Sequence, residues 1–367
     1  MEEGYNLQIK LNILIQSYIC IHYINHMGIK YLNKYLQSNC SKSIKQISLH
    51  DLRNKRIVID TSIYLYRFLG EKALLENFYL MISIFREYNI IPLFVFDGKP
   101  PKEKYDLLEQ RKKDKREAEY KYKQLEYELT TNLHTMDTDE KREMEDTMNS
   151  LKKEFIRIHH TDIENVKMLI QAYGVSYVEA PGEADKLCAK MVCKNKAYAC
   201  LSEDMDLFVY GCNRVLRYLS LLNKTVVLYT LKDMMSELKL THDEFRSLCI
   251  VSGTDYNVSS GNVISGNVNT GNSHNLINTV KYFKKYKKEM NTNNSNSNNN
   301  NSIDFYKWLE DNTNYITSSL DLYIIHDMFA ITDMPEYKQY DKLNISNGPV
   351  NKSNLITVME KEHFLFA

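Results

Sequence analysis

Four short apolar runs punctuate the chain: Arg56-Ile57-Val58-Ile59, Ile90 to Phe96, Val175-Ser176-Tyr177-Val178, and Ala197 to Leu201. Unbroken apolar runs of this length read as strands buried on both faces of a sheet. Helical periodicity separates them, most clearly at Ile163, Val166, Leu169, Ile170 and Tyr173. A Thr161–Glu164 capping box is expected to open that helix and Gly174 to close it. A second box, Thr241–Glu244, predicts a helix through Ile250 that ends near Gly253. Strands alternating with helices predict an α/β fold, with a mostly parallel central sheet flanked by helices.

The rest of the chain follows other patterns. From Lys102 to Arg157 charge is dense, and Gly and Pro are missing, which reads as a pair of solvated helices. Residues 257–275 repeat Ser260-Gly261-Asn262 as Ser265-Gly266-Asn267 and Thr270-Gly271-Asn272, and Asn291 to Ser302 is almost wholly Asn, Ser and Thr. Both hold too little apolar surface to offset the entropy of ordering and are expected to be loops or insertions. A helical pattern resumes over 303–332, around Phe305, Trp308, Leu309, Leu322, Ile325 and Phe329.

Composition narrows the classes without choosing among them. The formal net charge of the 367 residues is zero, so any surface for a polyanion must be local. Seven cysteines lie scattered with no Cys-x-x-Cys pair, which reads as reduced thiols in an intracellular protein, nuclear or at a cytoplasmic replication site. No run of about 18 apolar residues suggests a membrane span. Polar residues interrupt Leu7 to Ile24, which lacks a basic start and a cleavage site, so a signal peptide is not expected.

The acids change the picture. The first strand ends in Asp60, and the second in Asp97 followed by Gly98. The third runs into Pro181-Gly182-Glu183-Ala184-Asp185, with Pro181 suited to a first helical position. The fourth runs into Glu203-Asp204-Met205-Asp206, and Asp255 follows Gly253-Thr254. Open α/β sheets form their sites at the carboxyl ends of strands, so four strands deliver acids to one edge. A single strand-terminal Asp is usually a turn former or a cap, but caps have no reason to recur at every strand. So many carboxylates repel unless cations compensate them. Oxygen ligands without His or Cys select Mg²⁺, with Mn²⁺ as a substitute. Two such ions about 4 Å apart are the usual clamp for phosphodiester hydrolysis.

At these residues the sequence resembles the flap-endonuclease family of structure-specific 5′-nucleases. The matching stretches are Met27-Gly28-Ile29, Val58-Ile59-Asp60-Thr61-Ser62 and Val95-Phe96-Asp97-Gly98-Lys99-Pro100-Pro101. They continue through Glu179-Ala180-Pro181-Gly182-Glu183-Ala184-Asp185, Ser202-Glu203-Asp204-Met205-Asp206 and Gly253-Thr254-Asp255-Tyr256. The resemblance implies that Asp60, Asp97, Glu183, Asp185, Asp204, Asp206 and Asp255 hold two metals. It implies that Tyr66 stacks on the base beside the scissile phosphate, and that Lys104 and Arg111 act on that phosphate from a helical gateway. Seven residues apart, those two cations are expected on one helix face. The charged stretch becomes an arch for the 5′ strand, with Lys112, Lys113, Lys115 and Arg116 along its phosphates and Gly28 near the DNA. Lys281, Lys284 and Lys285 match the helix that grips duplex phosphates.

Two departures stand out. The family's glycine-rich hairpin, which binds a monovalent cation, is replaced by Ser273-His274-Asn275-Leu276-Ile277, so the resemblance does not carry a K⁺ site across. No Gln-led sliding-clamp motif occurs, and the tail Glu362-His363-Phe364-Leu365-Phe366 echoes it only weakly. The expected organisation is an extension over 1–26, nuclease regions at 27–111 and 166–256, and an arch at 112–165. A degenerate helix–hairpin–helix element follows at 257–290, then an Asn-rich linker at 291–302 and a helical region with a tail at 303–367. Because Met27-Gly28-Ile29 reproduces the family's opening, translation is expected to start at Met27 or residues 1–26 to be removed. The expected activity is that of a structure-specific 5′-flap endonuclease and 5′–3′ exonuclease, hydrolysing branched DNA at 5′ flaps and nicks as a monomer, in replication and repair. The alternatives are a related nuclease for bubbles or four-way junctions, a ribonuclease, or a non-catalytic DNA-binding relative. The compact arch favours flaps.

Overall fold

The computed structural model describes residues 29–131, 138–257, 275–294, 304–331 and 335–360. Gly28, the 1–26 extension, the Gly-Asn echoes and the 362–366 tail lie outside the described residues.

Helix α1 (Leu32–Asn39) precedes edge strand β1 (Ile44–Ser48) and the first buried strand, β2 (Arg56–Asp60). Helices α2 (Thr61–Gly70) and α3 (Leu74–Glu87) lead to β3 (Ile91–Phe96). The charged stretch forms two helices, α4 (Tyr105–Thr131) and α5 (Thr138–Glu154), as its composition predicts. Next come α6 (His160–Ala172), β4 (Ser176–Glu179), α7 (Ala184–Cys193), β5 (Ala199–Leu201) and the one-turn α8 (Asp206–Val209). A hairpin of β6 (Arg214–Ser220) and β7 (Thr225–Thr230) leads to α9 (Leu231–Leu238) and α10 (His242–Ser252). Helices α11 (Leu276–Asn294), α12 (Phe305–Asn312), α13 (Leu320–Met328) and α14 (Lys352–Glu360) complete the described chain.

The seven strands form one sheet in the order β1-β7-β6-β5-β2-β3-β4. Pairs from β6 through β4 are parallel, whereas β7 runs antiparallel to both β6 and β1. The sheet is therefore mixed, with a parallel centre that bears out the α/β expectation. Alternation along β2 sends Val58 to one apolar core and Ile57 and Ile59 to the other, so helices cover both faces.

Three local expectations are corrected. Helix α6 begins at His160, ahead of the expected Thr161 cap, and the Asp162 carboxylate accepts the His159 N–H at 2.7 Å. Pro181 is not a first helical residue, because Glu183 is the N-cap of α7. Helix α11 continues to Asn294, so helix covers the first residues of the expected linker. The Thr241–Glu244 box forms as expected, with Glu244 N–H on Thr241 Oγ1 at 3.2 Å and Thr241 N–H on Glu244 Oε2 at 2.9 Å.

Candidate active site

Each candidate acid is placed by the end of an element. Asp60 is the last residue of β2, and Asp97 directly follows β3. Glu183 caps α7 and Asp185 lies in its first turn. Asp206 opens α8, two residues after Asp204. Asp255 follows α10 through Gly253, whose φ of 103° suits a residue without a side chain. Gly98 is needed for close approach: a Cβ there would lie 2.1 Å from the Ala180 carbonyl oxygen. Its N–H instead donates to the Gly182 carbonyl at 2.7 Å, which draws the β3 and β4 loops together.

Hydroxyls and amides orient this set. Ser202 Oγ donates to Asp60 Oδ2 at 3.0 Å and accepts the Asp204 N–H at 3.1 Å. Asp204 Oδ1 accepts the Asp206 N–H at 2.9 Å. Asp97 accepts from the Ser62 hydroxyl and, at 2.7 Å, from the Ala184 N–H at the positive end of α7. The Tyr256 hydroxyl donates to Glu183 Oε2 at 2.8 Å and lies 2.9 Å from the Tyr210 hydroxyl.

Two cations enter the cluster. Lys104 Nζ lies 2.7 Å from Glu183 Oε1 and 3.6 Å from Asp255 Oδ2, and Arg111 lies 3.0 Å from that same oxygen. The shared helix face expected for them is corrected. Lys104 ends a short 3-10 turn, Lys102–Lys104, and Arg111 lies one and a half turns into α4. They nevertheless converge on Asp255. Lys104 is only 5% exposed, and its ring neighbour is Tyr256, with the centroid 4.7 Å from Nζ.

The electrostatics tie the set into one unit. Burial raises the pKa of Asp60, and Asp97 and Asp204 add to the rise. Burial also raises Asp185, Asp204 and Asp206, reinforced chiefly by Glu183 for the first and by Asp255 and Asp204 for the other two. Burial alone would lower the Lys104 pKa, but Asp185, Tyr256, Glu183 and Asp255 outweigh it and raise it. Buried carboxylates that repel one another thus have two side-chain cations, Lys104 and Arg111, set among them.

The remaining candidates separate into two groups. Tyr66 is half-buried, and its phenol feels Asp97 and Arg111, so it stands at the rim of the cluster. Lys115 Nζ sits 4.8 Å from the Tyr66 ring centroid and donates to the Ile156 carbonyl at 3.0 Å. It therefore pins the arch to the site rather than facing solvent. Lys112, Lys113 and Arg116 are exposed along α4, and Lys281, Lys284 and Lys285 along α11. Glu203 departs from the acids beside it: it turns inward to Arg217, with Nε to Oε2 at 3.4 Å. Arg217 is fully buried and also donates to Asn33 Oδ1 at 2.7 Å and to the Glu203 carbonyl at 3.0 Å. This network anchors the loop that carries Asp204 and Asp206.

The sequence reading missed Ser62, Ser202, Tyr256 and the Glu203–Arg217 pair as functional supports. The first three stand inside the quoted motifs, and that adjacency was the available signal. Arg217 offered none, since a charged residue in a strand pattern ordinarily faces water.

Oxygen donors alone make up the acidic set, and Asp206 Oδ1, on a residue 1% exposed, has no hydrogen-bond partner among the described residues. That unsatisfied oxygen fits a hard divalent ion. Among the described residues no three His, Cys, Asp or Glu side chains already converge on one metal position. In this arrangement Lys104 and Arg111 supply the compensating charge.

The XPG N-terminal domain family matches residues 27–118, and the XPG I-region matches 174–255. The chain is 31% identical to flap endonuclease 1 of Methanococcus aeolicus over 242 residues, covering 61% of this chain and 69% of that one. It is 33% identical to flap endonuclease 1-A of Oryza sativa subsp. japonica over 249 residues, covering 63% of this chain and 62% of the relative. With flap endonuclease 1 of Leishmania braziliensis identity is 31% over 253 residues, and the match spans 60% of that relative. The fold is similar to the catalytic core of Rad2 in complex with DNA substrate, with a TM-score of 0.61, 18% identity and coverage of 91% and 95%. It is similar to flap endonuclease-1 from Methanococcus jannaschii, with a TM-score of 0.53, 22% identity and coverage of 87% and 90%. At these identities the structural likeness speaks for the fold.

Proposed function

Since the chain belongs to the flap endonuclease family of 5′-nucleases, we propose that it hydrolyses phosphodiesters in branched DNA, at 5′ flaps and nicks, with divalent-ion dependence. The observation that carries this reading is the convergence of seven acids from four strand ends and the α10 turn on one edge, with Lys104 bridging Glu183 and Asp255. The nuclease chains of known structure include a Rad2 core bound to its DNA substrate, which supports DNA as the ligand here.

Asp60, Asp97, Glu183, Asp185, Asp204, Asp206 and Asp255 would hold two Mg²⁺ ions, or Mn²⁺ in their place. Bound there, the ions supply an activated water and Lewis-acid charge for in-line displacement. The chain's own groups do the rest. Lys104 and Arg111 turn from the carboxylates to the scissile phosphate and stabilise its developing charge. Tyr66 offers an aromatic face to the adjoining base once Lys115 leaves it. Exposed Lys112, Lys113 and Arg116 line the path of the 5′ strand, and Lys281, Lys284 and Lys285 meet duplex phosphates. The products are a 5′-phosphate and a 3′-hydroxyl. We place this activity in replication and repair, carried out by a monomer inside the cell.

The test is cleavage of end-labelled flap, nick, bubble and four-way junctions in Mg²⁺ and in EDTA. Flap cleavage that leads the panel and vanishes in EDTA supports the reading. Preferred cleavage of bubbles or four-way junctions, or turnover in EDTA, overturns it.

A further inference from the structure

The C-terminal segment returns to the acidic edge of the sheet, far in sequence from every carboxylate it approaches. Its 3-10 turn Pro335–Lys342 lies against β4 and α7, the two elements joined by the Gly182 loop, with Glu183 capping α7 and Asp185 in its first turn. On the β4 side the Tyr340 hydroxyl donates to the Glu179 carbonyl at 2.6 Å. On the α7 side Lys194 Nζ lies 3.3 Å from Asp341 Oδ2, and Lys190 Nζ lies 5.2 Å from the Tyr337 ring centroid.

Between these ties Tyr337 is buried, with its hydroxyl beside Gly182, where an added Cβ would meet it at 3.7 Å. Burial and then the fields of Asp185, Glu336 and Glu183 push the phenol up to about 12, so both site carboxylates act on this ring. The Gly182 carbonyl in turn accepts the Gly98 N–H at 2.7 Å, next to Asp97. One tyrosine thus backs the loop through which Asp97, Glu183 and Asp185 are fixed relative to one another. Residues 180–183 have no helix or strand of their own, so their geometry depends on what packs behind them. The segment is itself anchored, by Gly348 N–H on the Gly174 carbonyl and Asn351 N–H on the Ala172 carbonyl, each at 2.7 Å. Leu355, Val358 and Met359 of α14 then join the core on the α6 side of the sheet.

We propose that Pro335–Lys342 is a positioning strap for divalent-ion binding, in which Tyr337 holds the Gly182 loop so that Glu183 and Asp185 keep their ion-binding geometry. The proposal rests on the metal-dependent reading of the site. Tyr337 is a positioning residue, acting through the Gly182 loop.

The experiment titrates Mn²⁺ alone into the full chain, following loss of the free-ion paramagnetic resonance signal. Tyr337→Ala is expected to weaken Mn²⁺ binding roughly tenfold, the usual scale for a support behind metal ligands. The Mg²⁺ concentration for half-maximal flap cleavage should rise in parallel, while flap affinity in EDTA stays unchanged. Tyr337→Phe keeps the ring but removes the hydroxyl beside Gly182, and should fall between wild type and Tyr337→Ala. Unaltered Mn²⁺ affinity in a folded Tyr337→Ala protein overturns the strap. Should that variant fail to fold, Lys194→Glu must weaken Mn²⁺ binding and added Asp341→Lys must restore it; no change in either overturns the proposal. A wild-type chain that binds no Mn²⁺ would remove the metal reading and the strap together. Where wild type binds and the variants match it, the strap alone fails.

Discussion

Lys104 is a buried ammonium that survives only because Glu183 and Asp255 lie within reach, at 2.7 and 3.6 Å. Removing it leaves buried carboxylates without their nearest compensation, and removing Arg111 takes away the second partner of Asp255. If both turn to the scissile phosphate, Lys104→Ala and Arg111→Ala should each slow single-turnover flap cleavage by roughly a hundredfold or more. Lys123→Ala is the control, because Lys123 sits on the exposed arch paired with Glu119. Rapid-quench rates that fall equally for all three variants would reassign the effect to general charge. The seven acids were legible in the sequence because each falls at or within a few residues beyond the end of an apolar run or, for Asp255, just beyond a glycine. The role of Tyr256 was not, since its place beside Asp255 in the motif names no partner, and its bond to Glu183 exists only in three dimensions.

At the scale of elements, β2, β3 and β5 were legible because both of their faces are buried and their sequences are plainly apolar, whereas β4, a half-buried edge strand, showed only through its short Val175–Val178 run. The β1, β6 and β7 strands were hidden. β1 is a short edge strand with exposed Lys45 and Gln46, and β6 carries buried Arg217 beside an irregular register at Tyr218, whose φ is 56°. The α10 helix offers a pH test. Burial lowers the pKa of His242 below its ordinary 6.5, against the pull of the Phe208 carbonyl, which its Nε2 meets at 2.9 Å. A depressed folded pKa means that His242 adds stability above 6.5, lost as pH falls through the folded value. Acidification from about 7.5 to about 5 should therefore lower Tm, and His242→Gln should flatten that slope. A slope unchanged in the variant would place the acid sensitivity elsewhere. The element that follows α10 lacks the family's glycine hairpin in sequence, so duplex binding should respond alike to K⁺ and Na⁺ at matched ionic strength. A clear K⁺ preference in an anisotropy titration would contradict this.

For the whole molecule, the sheet brings acids spread from Asp60 to Asp255 to one edge, and two segments reach that edge, the arch inserted between Asp97 and Glu183 and the C-terminal Pro335–Lys342 turn. The parallel centre was legible, and so was the arch as a helical pair. The return of residues 335–360 was not, because a strap is defined by what it touches and its local pattern is ordinary. The central claim is that the carboxylate edge performs the cleavage as a metal-holding unit. Asp206 is its most direct probe, being buried, oriented by its N–H on Asp204 and left with one unpartnered oxygen. The measurement is single-turnover cleavage of a 5′-flap substrate in Mg²⁺ by wild type and Asp206→Asn, with flap affinity determined on the same preparations. Cleavage should fall by more than about a hundredfold while affinity holds within about threefold, because the change removes ligand charge and keeps shape. Wild-type turnover by Asp206→Asn, with Mg²⁺ as the sole divalent ion, would contradict the account.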